Sequence, residues 1–188
     1  PPYVRIQTLN KKEVEYFNRI YESPEKNYDI YILFIEKGFK LLSENGILGL
    51  ILPHKFFQGE MGDKIRKFIA DNNAVYKIVD SGTNQVFETA TTYTCLLFLS
   101  KRPNKKFLYK KFELGGDYKN LQHIKFEEKD IKIIKKSKWN FSSDKAQQVL
   151  SKIYEQKNNF RDITKKIFKG SSTGNDKIFL LDPIKEDK

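Results

Sequence analysis

The stretch "ILGLIL" at residues 47–52 has no polar side chain and runs straight into a proline. It is too short for a buried helix and does not alternate, so it reads as a strand covered on both faces, the habit of parallel sheets. Pro53 ends it by withholding a ladder N–H. Just ahead lies "DIYILFIEKGFKLL", opening at Asp29, a residue type that can cap a helix start. Ile30, Leu33, Phe34, Gly38, Leu41 and Leu42 share one broad face, widened by Ile32, Ile35 and Phe39. A helix apolar over so much of its circumference is largely buried, as when it covers a sheet. Gly46, in "SENG", is expected to stop it in the left-handed conformation.

The same alternation continues downstream. Met61, Ile65, Phe68 and Ile69 predict a helix over 60–72, and "AVYKIVD" (74–80) and "YTCLLFLS" (93–100) predict two further strands. Helix, strand, helix, strand, loop, strand is half of a doubly wound α/β sheet. Function in such sheets gathers outside the carboxyl ends of the strands. Here those ends are "PHKFF" (53–57) and "DSGTNQVF" (80–87). The opening "PPYVRIQ" is stiff, with φ locked at Pro2 and Pro1 held extended, and suits a third such loop if a strand runs into Pro1. With no methionine in front, the chain is expected to be a fragment of a longer one.

Beyond Ser100 the texture changes. "KRPNKK" (101–106) is a basic connector, and strands are expected at 107–112 and 122–126 around the turn signal "GGDYKN". Ala146, Val149, Leu150, Ile153 and Tyr154 make the stripe of a helix over 143–156. "FKGSSTGNDKIFLL" (168–181) is loop-like and then strand-like. The expected organisation is an α/β sheet over 1–101, a connecting α+β segment over 102–160, and the start of a further domain over 161–188.

Composition narrows the partners. Thirty-five Lys and Arg against 24 Asp and Glu give a net charge of +11, which favours polyanions, nucleic acid first. A lysine-rich proteome gives the same surplus without any such partner. One cysteine, Cys95, and two histidines, His54 and His123, exclude an internal disulfide and most metal constellations, so no metal is expected. The longest apolar run, 46–53, is far short of a membrane span. No membrane partner is expected, and the cytoplasm is the default location.

A rigid Pro-Pro-Tyr loop fixes a backbone carbonyl near an aromatic ring. Methyl transfer to a planar amine needs that pair. The amine's lone pair is delocalised into its ring, and acceptors held on its N–H groups localise it. A stacked ring keeps the base in line with the electrophile. The same tripeptide also occurs in ordinary turns and in proline-rich ligands.

"PPYVR" followed by "DIYILFIEKGFKLLSENGILGLILPHKFF" resembles the amino-methyltransferases with an Asn-Pro-Pro-Tyr signature, in particular the N6-adenine DNA methyltransferases of bacterial restriction–modification systems. The order of signature loop, "F-x-x-x-x-x-x-L-L" helix, strand ending in Pro, "D-x-G…VF…T" and further strand is kept through residues 1–101. "GSSTG" (170–174) resembles the entry to that family's target-recognition domain. The resemblance implies a Rossmann-like class I methyltransferase fold, S-adenosylmethionine as methyl donor and double-stranded DNA as partner. It implies that the Pro1 carbonyl accepts from the target amine, Pro2 shapes the loop and Tyr3 stacks on a flipped adenine. It also implies that Phe34 lines the cofactor's adenine and that Pro1 borders the cofactor.

Phe98 is the candidate for the second ring on the base, with Tyr93 the runner-up. Lys101, Arg102, Lys105 and Lys106, and then Lys169, Ser171, Thr173 and Gly174, are candidate DNA contacts. Reaching N6 requires the base out of the helix, hence the aromatic clamps. The signature's first residue and a Gly-rich cofactor loop are not in this sequence, so the 188-residue chain alone is expected to be inactive.

Plainer readings stand beside these. Phe34 on a buried helix suits plain core, and Phe98 suits sheet packing. His54 is read as a loop residue without an acid–base role, because this methyl transfer needs no strong base. Cys95 reads as a small buried hydrophobe, and Asp80 as a turn or cap residue as readily as a site residue. Two other functions remain open: methylation of RNA guanine N2 or a protein glutamine amide, and a basic DNA-binding module without chemistry.

Overall fold

A computed structural model describes residues 1–87, 92–113 and 124–142, with isolated positions between 146 and 164. The chain divides into Pro1–Phe141 and Ser142–Lys188. Among the described residues, the first unit is an α/β fold on a five-stranded sheet of order β1-β3-β2-β4-β5. The strands are β1 (Ile47–Pro53), β2 (Val75–Asp80), β3 (Thr94–Ser100), β4 (Lys106–Lys111) and β5 (Glu127–Asp130). The helices are α1 (Lys11–Ile20), α2 (Tyr31–Lys40) and α3 (Asp63–Asp71).

The sheet is mixed, which corrects the expectation of parallel pairing. β3 lies antiparallel between β1 and β2, β4 joins β2 in parallel, and β5 closes the order antiparallel to β4. β1 and β2 therefore point the same way and end together, beside the start of β3. Register sets Pro53 opposite Thr94, and both Leu52 and Asp80 opposite Cys95. Residues directly opposite share a face, so Leu52, Cys95 and Asp80 point to one side. That side carries α2, because Leu48, two alternations from Leu52, meets the helix at Gly38. A Cβ on Gly38 would lie 2.9 Å from Leu48 Cδ2, so glycine permits the close approach. Not every residue of β1 is covered: Ile47 and Gly49 are exposed, since the strand lies at the edge of the described order.

α2 buries Tyr31, Ile32, Leu33, Ile35, Glu36 and Phe39, as its broad apolar arc predicts. Asp29 does not cap it: Ile30 holds the cap position without a side-chain bond. Nor does Gly46 end it. The helix closes at Leu41 in right-handed geometry, and Gly46 does not have a positive φ. The left-handed stop occurs instead after α3, at Asn73 (φ 47). There Asn73 N–H donates to Ala70 O at 3.0 Å and Ala74 N–H to Ile69 O at 3.1 Å, the paired bonds of a Schellman motif. α1 opens with a reciprocal capping box between Asn10 and Glu13.

The strand expected at 122–126 forms later, at Glu127–Asp130. The boundary expected after Lys101 falls inside the sheet, because β4 pairs with β2. Trp139 belongs to the same body. Its ring packs on Phe56 and Phe57, each at 5.7 Å, its backbone N–H donates to Phe57 O at 2.8 Å and its indole N–H to Ile134 O at 2.8 Å. The "GGDYKN" turn and the 168–181 segment lie outside the described residues, as do Leu150 and Tyr154 of the 143–156 stripe; Ala146, Val149 and Ile153 are helical, with Val149 and Ile153 exposed.

Candidate functional site at the strand tips

The Pro-Pro-Tyr stretch is stitched to the start of α2. Ile30 N–H donates to Val4 O at 2.9 Å, Ile6 N–H to Tyr28 O at 3.0 Å, and Arg5 bridges Asp29. This antiparallel stitch delivers Tyr3 to Tyr31, the first residue of α2, with ring centroids 6.3 Å apart at 76°. Phe87, from the loop after β2, meets Tyr3 from another side at 6.4 Å and 68°. Burial first, and the neighbouring Cys95 second, push the Tyr3 phenol up. Burial and then Asp80 push the Cys95 thiol up. Tyr3 thus sits over the end of the sheet where β1 and β2 stop. The Tyr3 and Tyr31 hydroxyls are both buried without a hydrogen-bond partner.

Two side chains from the strand ends join this neighbourhood. His54, directly after β1, places Nδ1 2.8 Å from Asp80 Oδ1 at the end of β2. Asp80 Oδ1 also accepts from Gly82 N–H at 2.9 Å, and Oδ2 from the Tyr109 hydroxyl at 3.4 Å. Gly82 has φ +61, a conformation that suits glycine and lets the chain double back over Asp80. The His54 ring leans on Tyr93 at 6.1 Å and Phe57 at 5.9 Å. Lys55 turns the other way and pairs with Asp29 Oδ2 at 2.5 Å.

Buried Arg66 on α3 holds the loop after β1 from below. It donates to Phe56 O at 2.5 Å, Gly59 O at 2.8 Å and Ser137 O at 2.6 Å, and it pairs with Asp63. The loop after β2 is held by Asn84, whose amide donates to Ser81 O at 2.8 Å and Glu113 O at 2.9 Å.

The expected site residues divide by position. Tyr3 is at the strand tips, beside partly exposed Pro1 and exposed Pro2. Phe34 is not core: it is 45% exposed on an otherwise buried helix. Tyr93 stands at the tips over His54. Phe98 does not. It pairs with Gly49 and lies four residues along β3 from Thr94, about 13 Å towards the other end of the sheet. There the Lys77 ammonium sits 5.5 Å from its ring.

The basic connector is at that far end as well. Lys101 covers Phe39 at 4.8 Å, Lys106 pairs with Glu128 at 2.7 Å, and Arg102 and Lys105 are exposed. Lys101, Arg102, Lys105 and Lys106 are therefore not brought to Tyr3. Lys169, Ser171, Thr173 and Gly174 lie outside the described residues. Phe87 carried no role in the sequence reading, His54 was read without an acid–base role, and Asp80 was read as a turn or cap residue as readily as a site residue. Their signal was position: Phe87 and His54 lie in loops that follow a strand's carboxyl end, and Asp80 is the last residue of β2.

Residues 1–87 match the Eco57I restriction-modification methylase family. Those residues are similar to a restriction–modification methylase. That segment holds Tyr3, Phe34, His54, Asp80 and Phe87 together. Over 112 residues the chain is 42% identical to the type II restriction enzyme and methyltransferase RM.Eco57I of Escherichia coli, covering 58% of this chain and 11% of that protein. It is 26% identical to the type II methyltransferase M.BstVI of Geobacillus stearothermophilus, covering 100% of this chain and 37% of that protein. The fold is similar to the type IIG restriction endonuclease BpuSI, with a TM-score of 0.52 at 12% identity, over 72% of this chain and 19% of that one. The chain thus spans a minor part of each relative's length. Among the described residues there is no cluster of potential metal ligands and no helix long and apolar enough to cross a membrane.

Proposed function

We propose that this chain is part of a site-specific DNA methyltransferase that moves a methyl group from S-adenosylmethionine to the N6 amine of an adenine turned out of the duplex. The observation that carries this reading is the placement of Tyr3, from the Pro-Pro-Tyr loop, against Phe87 at the strand tips. A base stacked on Tyr3 has Phe87 at its border, so Phe87 takes the second-ring role expected of Phe98. The Pro1 carbonyl is the acceptor for the amine. The rings and the loop position the base, and the acceptor raises the amine's nucleophilicity without removing a proton.

The exposed ring of Phe34, one turn along α2 from Tyr31, fits the wall of a cofactor's adenine. S-adenosylmethionine supplies an electrophilic methyl on a sulfonium. The chain acts within a longer enzyme, in keeping with its 11% and 37% shares of its relatives. It leads onward, in this reading, to a target-recognition domain beyond residue 160.

The test uses the longer enzyme that contains this segment, duplex DNA and labelled S-adenosylmethionine, with the product base read by mass spectrometry. N6-methyladenine is expected. Tyr3→Ala is expected to lose about 2–4 kcal/mol of transition-state stabilisation while duplex affinity is kept. Label appearing in RNA guanine or protein glutamine instead overturns the substrate. Salt-sensitive DNA binding without any transfer favours a binding module.

A further inference from the structure

Methyl transfer to an exocyclic amine leaves a proton to be removed. Aromatic rings that exclude water around the base leave that proton without a solvent acceptor. Resting on the reading above, we infer that His54, oriented by Asp80, takes the proton from the amine as it is methylated and passes it to solvent.

Three features of the pair carry the inference. First, a carboxylate only accepts hydrogen bonds, so the contact between His54 Nδ1 and Asp80 Oδ1 at 2.8 Å puts the proton of the neutral ring on Nδ1 and the lone pair on Nε2. Second, Nε2 has no hydrogen-bond partner among the described residues, and the His54 side chain is 26% exposed. The lone pair is open, at the rim and not in the core. Third, Asp80 is held from other directions by Gly82 N–H and the Tyr109 hydroxyl, so the imidazole is aimed by a fixed partner. This is the arrangement by which a buried carboxylate sets the tautomer of a histidine base and stabilises its cation.

The position is right for that role. Cys95 lies opposite both Leu52 and Asp80, and a run of ring contacts joins Tyr3 to Tyr31, Phe56, Phe57 and the His54 ring. His54 and Tyr3 therefore flank one strand end on the face that carries α2. The charged and titratable groups around His54 are Asp80 from β2, Tyr109 from β4 behind it, Tyr93 ahead of β3, and Cys95. Lys111 pairs with Asp80 in register but is exposed, and Lys55 is occupied by Asp29.

The step balances. The N6 lone pair forms the bond to the methyl carbon as the carbon–sulfur bond breaks, its electrons staying on sulfur. As positive charge develops on N6 in that same step, its N–H bond breaks, the pair stays on nitrogen, and the proton bonds to Nε2, so the base acts within the transition state of transfer. The imidazolium, stabilised by Asp80, releases that proton to water.

Two measurements test this. In the 188-residue chain, which has two histidines, nitrogen–proton correlation spectra are expected to show neutral His54 with its proton on Nδ1, and Asp80→Asn is expected to abolish that preference. A proton on Nε2, or a preference indifferent to Asp80→Asn, overturns the inference. In the longer enzyme, His54→Gln is expected to slow single-turnover methyl transfer about a hundredfold and to remove the acid limb of its pH–rate profile, with duplex and cofactor affinities unchanged. An unchanged rate and profile for His54→Gln, in an enzyme that methylates adenine, overturns this inference alone. A wild-type enzyme that methylates no adenine overturns the proposed function and the inference with it.

Discussion

Asp29 and Lys55 form an ion pair of 2.5 Å between the start of α2 and the loop after β1. The backbone of Arg5 forms an isolated β-bridge with that of the same Asp29, so the backbone ties the Pro-Pro-Tyr stretch to the start of α2 and the buried carboxylate ties α2 to the β1 loop. Removing the cation leaves that charge buried and unpaired. Lys55→Ala is expected to lower the unfolding free energy of the chain by about 1–2 kcal/mol, less than a fully buried pair because Lys55 is partly solvated. Urea denaturation checks the size.

Glu36 contributes a pH-dependent anchor. Burial pushes its carboxyl up, but Lys40 Nζ at 2.7 Å and the N–H groups of Ser23 at 2.8 Å and Glu22 at 3.1 Å outweigh it and hold the group below its usual range. A carboxylate depressed in the folded state stabilises above its unfolded pKa and loses that contribution as pH falls through the folded value. The melting temperature is expected to fall on acidification below about pH 4.5. Glu36→Gln is expected to flatten part of that fall, which calorimetry across pH 3–7 reads.

Tyr31 carries a wholly buried hydroxyl without a partner. Leaving a polar atom unsatisfied costs about 1–3 kcal/mol. Tyr31→Phe keeps the ring contacts with Tyr3 and Phe56 while removing that atom. The melting temperature is expected to stay or rise; a loss of several degrees would show that the hydroxyl has a partner.

Arg66 is the reverse case, a buried side chain that donates to three carbonyls and pairs with Asp63. Arg66→Met strands the carbonyls of Phe56 and Ser137, while Gly59 O keeps its bond from Gly62 N–H. A loss of about 3 kcal/mol is expected. Hydrogen exchange is expected to quicken first around residues 56–59, the loop that the arginine holds.

Phe87 and Phe98 separate by readout. In the longer enzyme, Phe87→Ala is expected to slow methyl transfer about tenfold or more while stability is kept, because the ring is 37% exposed and spends its contact on Tyr3. Phe98→Ala is expected to lower stability and leave the chemical step alone. Single-turnover rates beside melting curves distinguish the two.

The elements were legible in the chain because their signals are local. The broad apolar arc of α2, the unbroken run of β1 and the proline after it are each contained in one turn or one strand. The signature order around Tyr3 was legible for the same reason. The mixed sheet was not, since an apolar run looks alike in a parallel and an antiparallel neighbour.

By itself, then, the sequence determined where the helices and strands up to β3 lie and in what order. Tertiary structure alone decided which side chains arrive where β1 and β2 end. β3 is inverted between its neighbours, so Tyr93 and Cys95 reach the tips while Phe98 and the basic connector are carried to the far end. His54 meets Asp80, and Phe87 meets Tyr3, across separations that only strand pairing closes. Register and chain direction are non-local, and a shift of one residue would have turned each of these side chains to the other face.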